Sequence, residues 1–265
     1  MAKAKVLSVA NQKGGVGKST TVYNLGAGLA MSGKKVLALD VDPQGDLTKM
    51  LGQRKLHELP LTLANSMNDV ASGVMARDHP EIMHHHEGFD FVPENRSLSA
   101  VEVSLVNVMS RETVLRQYVD SVKQDYDYVL LDCRPSLGML VINALAAFDY
   151  VLIPVQADYL ATEDMTELVG TVQSIKRQIN PRLKIGGVFP TMANETNFRK
   201  GIVTTVKENT CLRWNRNPRN GTAGGDQHSG QEHFPARIKG TGGGCLPQSN
   251  KGGAGDWRQT AQPDF

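Results

Sequence analysis

The sequence has few cysteines, few aromatic side chains and almost no net charge. Only Cys133, Cys211 and Cys245 are cysteine, and no two of them have the C-x-x-C spacing of a metal or redox motif. This argues against a disulfide framework and against a zinc site, and it suits a reducing cytosol. A formal net charge of +2 argues against a strongly basic nucleic-acid-binding protein but not against a local basic patch.

Long hydrophobic runs are absent as well. No stretch approaches the roughly 18 apolar residues of a membrane span. The short apolar run after Lys5 leads directly into a glycine-rich loop, so we expect no signal peptide. With 40% hydrophobic and 21% charged residues, the chain is expected to form a packed globular core, in one large domain or two small ones.

Strand and helix patterns alternate along the first 210 residues. Apolar, strand-like runs cover residues 5–11, 34–43, 89–93, 126–136, 149–156 and 184–192. Helical patterns cover residues 19–33, 141–148, 162–179 and 197–209. Strands without polar alternation, separated by helices, are typical of a parallel sheet that is covered on both faces. We therefore predict an α/β fold with a doubly wound, mostly parallel sheet.

A glycine-rich loop, "ANQKGGVGKSTT" (10–21), lies between the first strand and the first helix. Its glycines allow the backbone to curl, so that successive N–H groups and the helix N-terminus point at phosphate oxygens. The loop departs from the G-x-x-x-x-G-K-[ST] pattern, because Gln12 replaces the first glycine and Lys13 is an added lysine. The alternative is a glycine turn that binds nothing.

The pattern predicts a nucleotide site in which Lys18 reaches the phosphates and the Ser19 hydroxyl binds Mg²⁺. A nucleotide and Mg²⁺ are therefore the expected cofactors. The loop residues predicted to bind the nucleotide are Gly14, Gly15, Val16, Gly17, Lys18, Ser19 and Thr20.

Three segments resemble a known family. "KGGVGKST" is similar to the deviant Walker A motif of ParA/MinD-type ATPases, and "LALDVDPQGDLT" (37–48) and "YDYVLLDCRPSLGMLVINAL" (126–145) resemble further ParA segments. The resemblance covers roughly residues 3–209 and is nearest to the short ParA proteins of plasmid or chromosome partitioning. It implies an ATP-dependent homodimer that binds DNA non-specifically, is stimulated by a ParB-like partner, and is cytoplasmic and nucleoid-associated.

The resemblance also implies roles for single residues. Lys13 would reach across the dimer to the partner's phosphate, like an arginine finger supplied in trans. Asp42 would position or activate the attacking water, so that Lys13, Lys18 and Asp42 form the expected catalytic set. Asp132 would hold Mg²⁺ together with Ser19, and Asp40 is a weaker candidate for the same metal shell. The alternative for each acid is a solvent-facing residue at a strand end.

The chain departs from the family at two places. Arg134 replaces the first proline of the usual "CPPS", where it would tune hydrolysis or pair with a nearby carboxylate. The arginine that the family often carries before its "TN" pair is missing. Arg199 and Lys200 are the candidate DNA contacts instead, with a solvated helix face as the alternative.

Two further groups of residues have simpler interpretations. His84, His85 and His86 are neighbours that cannot all face one metal ion, so an exposed loop is expected there. Cys133 is expected to be a small packing residue rather than a reactive thiol.

The last 55 residues differ from the rest. Residues 211–265 contain eleven glycines and only five Ile, Leu, Val, Phe or Met. Such a composition predicts an irregular or disordered tail after an ATPase domain at 1–210. Back-translated codons read one base later permit segments that resemble the family's missing C-terminal elements. We hypothesise a frameshift near Cys211, which the coding DNA would test.

Other functions are compatible with the same loop. One is a defective nucleotide-binding product without a partition role. Another is a MinD-like regulator of division, although the chain lacks a basic amphipathic C-terminal helix for membrane binding. A metabolic P-loop enzyme such as a synthetase is a further alternative.

Overall fold

The computed structural model describes residues 4–74, 78–136, 138–156 and 161–192, with the backbone alone over 161–167 and at 190. Its strands are β1 (Lys5–Val9), β2 (Val36–Val41), β3 (Met83–His85), β4 (Phe89–Val92), β5 (Tyr128–Cys133), β6 (Tyr150–Gln156) and β7 (Lys184–Thr191). Its helices are α1 (Lys18–Met31), α2 (Asp46–Met50), α3 (Leu63–Ala71), α4 (Ser97–Ser104), α5 (Val114–Val122), α6 (Met139–Ala147) and α7 (Ala161–Gln178).

All seven strands form one sheet in the order β3-β4-β2-β5-β1-β6-β7. Every neighbouring pair is parallel except β3 and β4, which are antiparallel. Parallel pairing places the carboxyl ends of β1, β2 and β5 at the same edge, and Asp40 of β2 is in register with Asp132 of β5. The predicted doubly wound, mostly parallel α/β class is confirmed.

A hydrophobic core covers each face of the sheet. On one face, Leu130 packs in a cluster with Val22 and Leu25 of α1. On the other face, Val129 and Leu131 pack in a cluster to which α3, α4, α5 and α6 contribute. Successive residues of β5 therefore alternate between two buried surfaces, which explains why its sequence shows no polar alternation.

The strands predicted within the described residues are present, with ends shifted by a few residues. The short edge strand β3 and the helices α2, α3, α4 and α5 were not predicted. The predicted helix at 197–209, the domain boundary at 210 and the glycine-rich tail lie outside the described residues. The division into an ATPase domain and a tail therefore stays a prediction.

The prediction of an exposed loop at the three histidines was wrong for two of them. His84 and His85 lie in β3, and the His85 ring is only 5% exposed and packs 5.2 Å from the ring of Phe89. His84 is exposed and contacts the Asp90 carboxylate at 2.7 Å, whereas His86 is exposed in the following turn. Antiparallel pairing with β4 creates this strand, because it turns alternate side chains to opposite faces of the sheet.

Candidate nucleotide-binding site

The loop at 10–17 is held against β6 and β7, the two strands on one side of β1. The Ala10 N–H donates to the Leu152 carbonyl (3.0 Å), and the Asn11 side-chain amide donates to the Pro154 carbonyl (2.6 Å), both in β6. The Thr191 hydroxyl at the end of β7 donates to the Val16 carbonyl (2.8 Å). These bonds fix the loop at both ends, so its conformation is imposed by the sheet.

Two glycines give this loop its shape. Gly15 has φ +71° and Gly17 has φ +84°, in the left-handed region that other residues adopt only with strain. Gly14 and Gly15 are exposed, whereas Val16 between the glycines is completely buried. The peptide groups of the loop are thus accessible on one side and anchored on the other, as a phosphate cradle requires.

Lys18 is the first residue of α1 and folds back over the loop. Its ammonium group donates to the Lys13 carbonyl (3.1 Å), and only 8% of the residue is exposed. Burial lowers the pKa of Lys18, and the nearby Asp132 carboxylate opposes that shift most strongly. Lys18, which the sequence predicted to reach the phosphates, is therefore a partly desolvated cation near the Asp132 carboxylate.

Asp132 is buried at the end of β5, with 1% exposure. Neither carboxylate oxygen accepts a hydrogen bond from any residue that the structure describes. Burial raises the pKa of Asp132 well above its usual range, and Asp40 adds to the shift. Ser19 and Lys18 lower it, so the Ser19 hydroxyl is nearby without meeting the geometry of a hydrogen bond. A buried acid without donors is costly unless a cation or a donor meets it.

Asp40 is equally buried, but both of its oxygens are occupied. One oxygen accepts from the Thr48 N–H (2.8 Å) and the Thr48 hydroxyl (2.6 Å), and the other accepts from the Asp42 N–H (3.2 Å). Burial raises the pKa of Asp40 to about 6, against the effect of these bonds. This arrangement anchors the turn between β2 and α2, while a metal role for Asp40 stays a prediction.

Asp42 lies in that turn and is half-buried. Its carboxylate accepts from the Gln44 N–H (3.0 Å), and its carbonyl accepts from the Gly45 N–H (2.8 Å). At Gly45, which has φ +63°, a Cβ would lie 2.5 Å from Leu56 Cδ1 and 2.8 Å from the Glu94 carbonyl. The turn therefore requires glycine, and it keeps Asp42 close enough for its charge to oppose, less strongly than Asp132 does, the lowering of the Lys18 pKa by burial.

Thr48 and Glu94 also lie near the carboxyl ends of the strands, and neither was identified from the sequence. Glu94 is completely buried, its N–H donates to the Thr48 hydroxyl (2.9 Å), and its carboxylate accepts from the N–H groups of Ala64 (2.8 Å) and Asn95 (2.7 Å). Burial raises the pKa of Glu94 to about 8. Its position two residues after β4 was the available signal, because β2 and β5 also end in acids.

The remaining predicted residues have the following positions. Lys13 is half-buried, and its N–H donates to the Asn11 side chain (2.9 Å). Thr20 is exposed in the first turn of α1. Arg134 pairs with the Glu102 carboxylate, which confirms one of its two predicted roles. Arg199 and Lys200 lie outside the described residues.

Cys133 is completely buried, and burial raises the pKa of its thiol, in agreement with the predicted packing role. Over the described ranges, no three His, Cys, Asp or Glu side chains are grouped so that they could hold a metal ion. A magnesium site completed by a hydroxyl and by phosphate oxygens does not need such a group. No helix in the described part of the chain is long and apolar enough to span a membrane.

Comparison with known proteins identifies the family. A family described as an AAA domain matches residues 4–185. The chain is 41% identical over 205 residues to the sporulation initiation inhibitor protein Soj of Bacillus subtilis, which covers 77% of this chain and 79% of Soj. It is 38% identical over 195 residues to the chromosome partitioning protein ParA of Caulobacter vibrioides, which covers 73% and 71%.

Solved structures agree with this result. Cobyrinic acid a,c-diamide synthase from Mycobacterium smegmatis, with bound ADP and magnesium, has a TM-score of 0.73 and 34% identity over 81% of this chain and 86% of its own. A plasmid partition protein from Borrelia burgdorferi has a TM-score of 0.65 and 25% identity over 78% and 86%. The chain therefore belongs to the AAA-domain family, and within it to the ParA and Soj type of partition ATPases.

Proposed function

We propose that this chain binds ATP and Mg²⁺ at the loop of residues 10–20 and hydrolyses ATP in a ParA-type partition system. The observation that carries the proposal is the buried Asp132 carboxylate, which accepts no hydrogen bond from the described residues and lies near Lys18 and Ser19. A magnesium ion and a phosphate chain are the partners that these three groups fit best. A structural relative binds ADP and magnesium, which supports the same assignment.

Each residue of the site would have its own role in binding or hydrolysing ATP. The exposed backbone at Gly14 and Gly15 would bind phosphate oxygens, and Lys18 would neutralise their charge. Ser19 and Asp132 would hold Mg²⁺, which when bound supplies charge neutralisation at the phosphates. Asp42 would hold the attacking water and accept its proton. The water oxygen forms the new bond to phosphorus as the bond to ADP breaks.

The assembly is part of the same proposal and is supported by the resemblance to ParA. ATP would close a homodimer in which Lys13 contacts the phosphate of the partner copy. The dimer would bind DNA non-specifically, with Arg199 and Lys200 as candidate contacts, and a ParB-like partner would stimulate hydrolysis. We propose a cytoplasmic, nucleoid-associated protein, with an ATPase domain at 1–210 and an irregular tail at 211–265.

Phosphate release by the full chain tests the site. Lys18→Ala should lower kcat/KM for ATP by about 100-fold or more, because a buried cation that contacts the transferring phosphate is lost. Lys49→Ala is the matched control, since Lys49 is an exposed lysine whose ion pair within the described residues is with Asp46 on α2, at 2.8 Å. Full activity of Lys18→Ala would refute the site. A wild-type chain that neither binds nor hydrolyses ATP would identify the defective product instead.

The dimer has a separate test. In sedimentation velocity with ATP and Mg²⁺, the wild type should shift from monomer to dimer. Lys13→Ala should still bind ATP, because Lys18 is intact, but it should remain monomeric. If Lys13→Ala dimerises like the wild type, Lys13 does not act across the dimer.

The structural likeness to a diamide synthase favours one alternative, ATP-dependent amide formation on a small carboxylic acid. Such a reaction needs an acceptor pocket beside the phosphates. A cavity of about 650 Å³ is present, but Gly52–Leu61 and Pro80–Met83 contribute its lining, and no residue of the loop does. Stimulation of ATP hydrolysis by DNA together with a ParB-type protein supports partition. Stimulation by cobyrinic acid supports the alternative.

A further inference from the structure

The connection from β5 to α6 is held by one carboxylate of α4. Arg134, two residues after Asp132, forms a close ion pair through its guanidinium with the Glu102 carboxylate. Both side chains are largely shielded from solvent, with 29% and 21% exposure. Shielding of this degree strengthens a charge-assisted hydrogen bond relative to one on the open surface.

The same carboxylate also contacts the start of α6. Its second oxygen accepts from the Leu140 N–H at 3.5 Å, in the first turn of the helix. A Cβ on Gly138 would overlap this oxygen, so glycine is required for the carboxylate to lie against the backbone. The positive end of the α6 dipole adds a favourable interaction. Glu102 therefore contacts both ends of the connection that follows Asp132.

Arg134 also lies beside the phosphate loop. Together with Asn11, Gln12 and Ser136, it lines a small cavity there. This cavity is too small to hold a water molecule, so Arg134 and the loop lie close together.

We propose that Glu102 and Arg134 are positioning residues of the ATPase, an inference that rests on the function proposed above. The pair holds the end of β5 so that the Asp132 carboxylate stays at the loop. The ion pair restrains the chain at Arg134, and the following Pro135 restrains it further through its fixed φ. Neither Glu102 nor Arg134 is among the residues proposed above to bind the nucleotide.

A double-mutant cycle in the full chain tests the coupling. The variants are Glu102→Gln, Arg134→Met and the double variant, with Lys49→Ala as the control for loss of an exposed ion pair. Glu102→Gln should raise the Mg²⁺ concentration for half-maximal ATP hydrolysis by about fivefold to tenfold, and KM for ATP at saturating Mg²⁺ should be unchanged. The double variant should need the same Mg²⁺ concentration for half-maximal ATP hydrolysis as Arg134→Met. Arg134→Lys should return that concentration most of the way to the wild-type value. Additive effects, or no change in Mg²⁺ dependence, would overturn the inference.

Hydrogen–deuterium exchange without nucleotide provides a readout that does not depend on activity. Peptides that cover 131–142 should exchange faster in Glu102→Gln and in Arg134→Met, whereas Lys49→Ala should match the wild type. Unchanged exchange there would refute the restraint even in an inactive chain. A wild type without ATP hydrolysis would refute the proposed function. An active wild type with additive variants would refute this inference alone.

Discussion

The ends of β2 and β5 lie side by side in the sheet and look alike in sequence. Each is an apolar strand with an aspartate at its end, Asp40 and Asp132 are in register, and both are 1% exposed. Asp40 accepts three hydrogen bonds, however, whereas Asp132 accepts none from the described residues. Equal burial therefore gives an acid that anchors a turn in one strand and, in the other, an acid that no described residue supplies with a hydrogen-bond donor.

The chain that follows each strand explains this difference. After β2 the chain turns back through Gly45, so that Thr48 returns to Asp40 with two donors. After β5 it continues through Arg134 and Pro135, and the proline has no N–H to donate. The Arg134 side chain is engaged by Glu102 instead. Among the described residues, hydrogen-bond donors therefore reach Asp40 and none reaches Asp132.

Asp132→Asn should have the largest effect on function. We expect Mg²⁺-dependent ATP hydrolysis to fall by about 100-fold or more, because the proposed metal loses its carboxylate. The free energy of unfolding should change by less than about 1 kcal/mol, since the carboxylate has no hydrogen bond to lose. Phosphate release and urea denaturation of the same preparation measure both. Unchanged hydrolysis would show that Asp132 is not a metal ligand.

Asp40→Asn should show the opposite pattern. An amide cannot accept from all three donors, so we expect a loss of about 2–3 kcal/mol in the free energy of unfolding. Hydrolysis per folded molecule should stay within about threefold of the wild type. Thr48→Val removes the hydroxyl that donates to Asp40 and should cost about 1–2 kcal/mol. If Asp40→Asn instead loses most of its Mg²⁺-dependent hydrolysis and keeps its stability, Asp40 is a metal ligand.

The pH dependence of stability should show the smallest effect. The pKa of Glu94 is raised from 4.5 to about 8, so the folded state holds this proton more firmly than the unfolded state does. The contribution is complete below about pH 4.5 and is lost as the pH rises towards 8. Asp40, with its pKa raised to about 6, contributes with the same sign.

Glu94→Gln isolates this contribution. The wild type should lose about 1–2 kcal/mol relative to Glu94→Gln between pH 5.5 and pH 6.5 in urea denaturation. Glu58→Gln is the matched control, because Glu58 is exposed and, in the part of the chain that the structure describes, pairs with its surface neighbours Lys55 and His57. If the difference between wild type and Glu94→Gln does not change with pH, the two N–H donors keep Glu94 ionised.

Much of the fold could be predicted because its signals are local. The apolar runs of β1, β2, β5 and β6 and the glycine loop before α1 are continuous in sequence, and each was identified. The edge strand β3 has only three residues, Met83, His84 and His85, and no apolar run of its own. It exists because β4 offers an edge for pairing. A pattern based on single segments contains no information about such an edge.

The residues of the candidate site likewise fall into those that a local sequence pattern identifies and those that it does not. Lys18 and Ser19 were identified because they are contiguous with the glycines. Thr48, Glu94 and Glu102 were not, because their partners lie 8 to 46 residues away along the chain. Contacts of this kind depend on how α2 and α4 pack against the sheet, and no local pattern records that packing.

By itself, the sequence determined the order of the longer apolar strands with α1, α6 and α7, the phosphate loop and the acids at the ends of β2 and β5. Only the tertiary structure decided which of those acids is saturated and which is open. The physical reason is that burial follows from the apolar residues around each strand, whereas hydrogen-bond donors come from segments that fold back from elsewhere. Asp40 receives such donors from Thr48, and Asp132 receives none from the described residues.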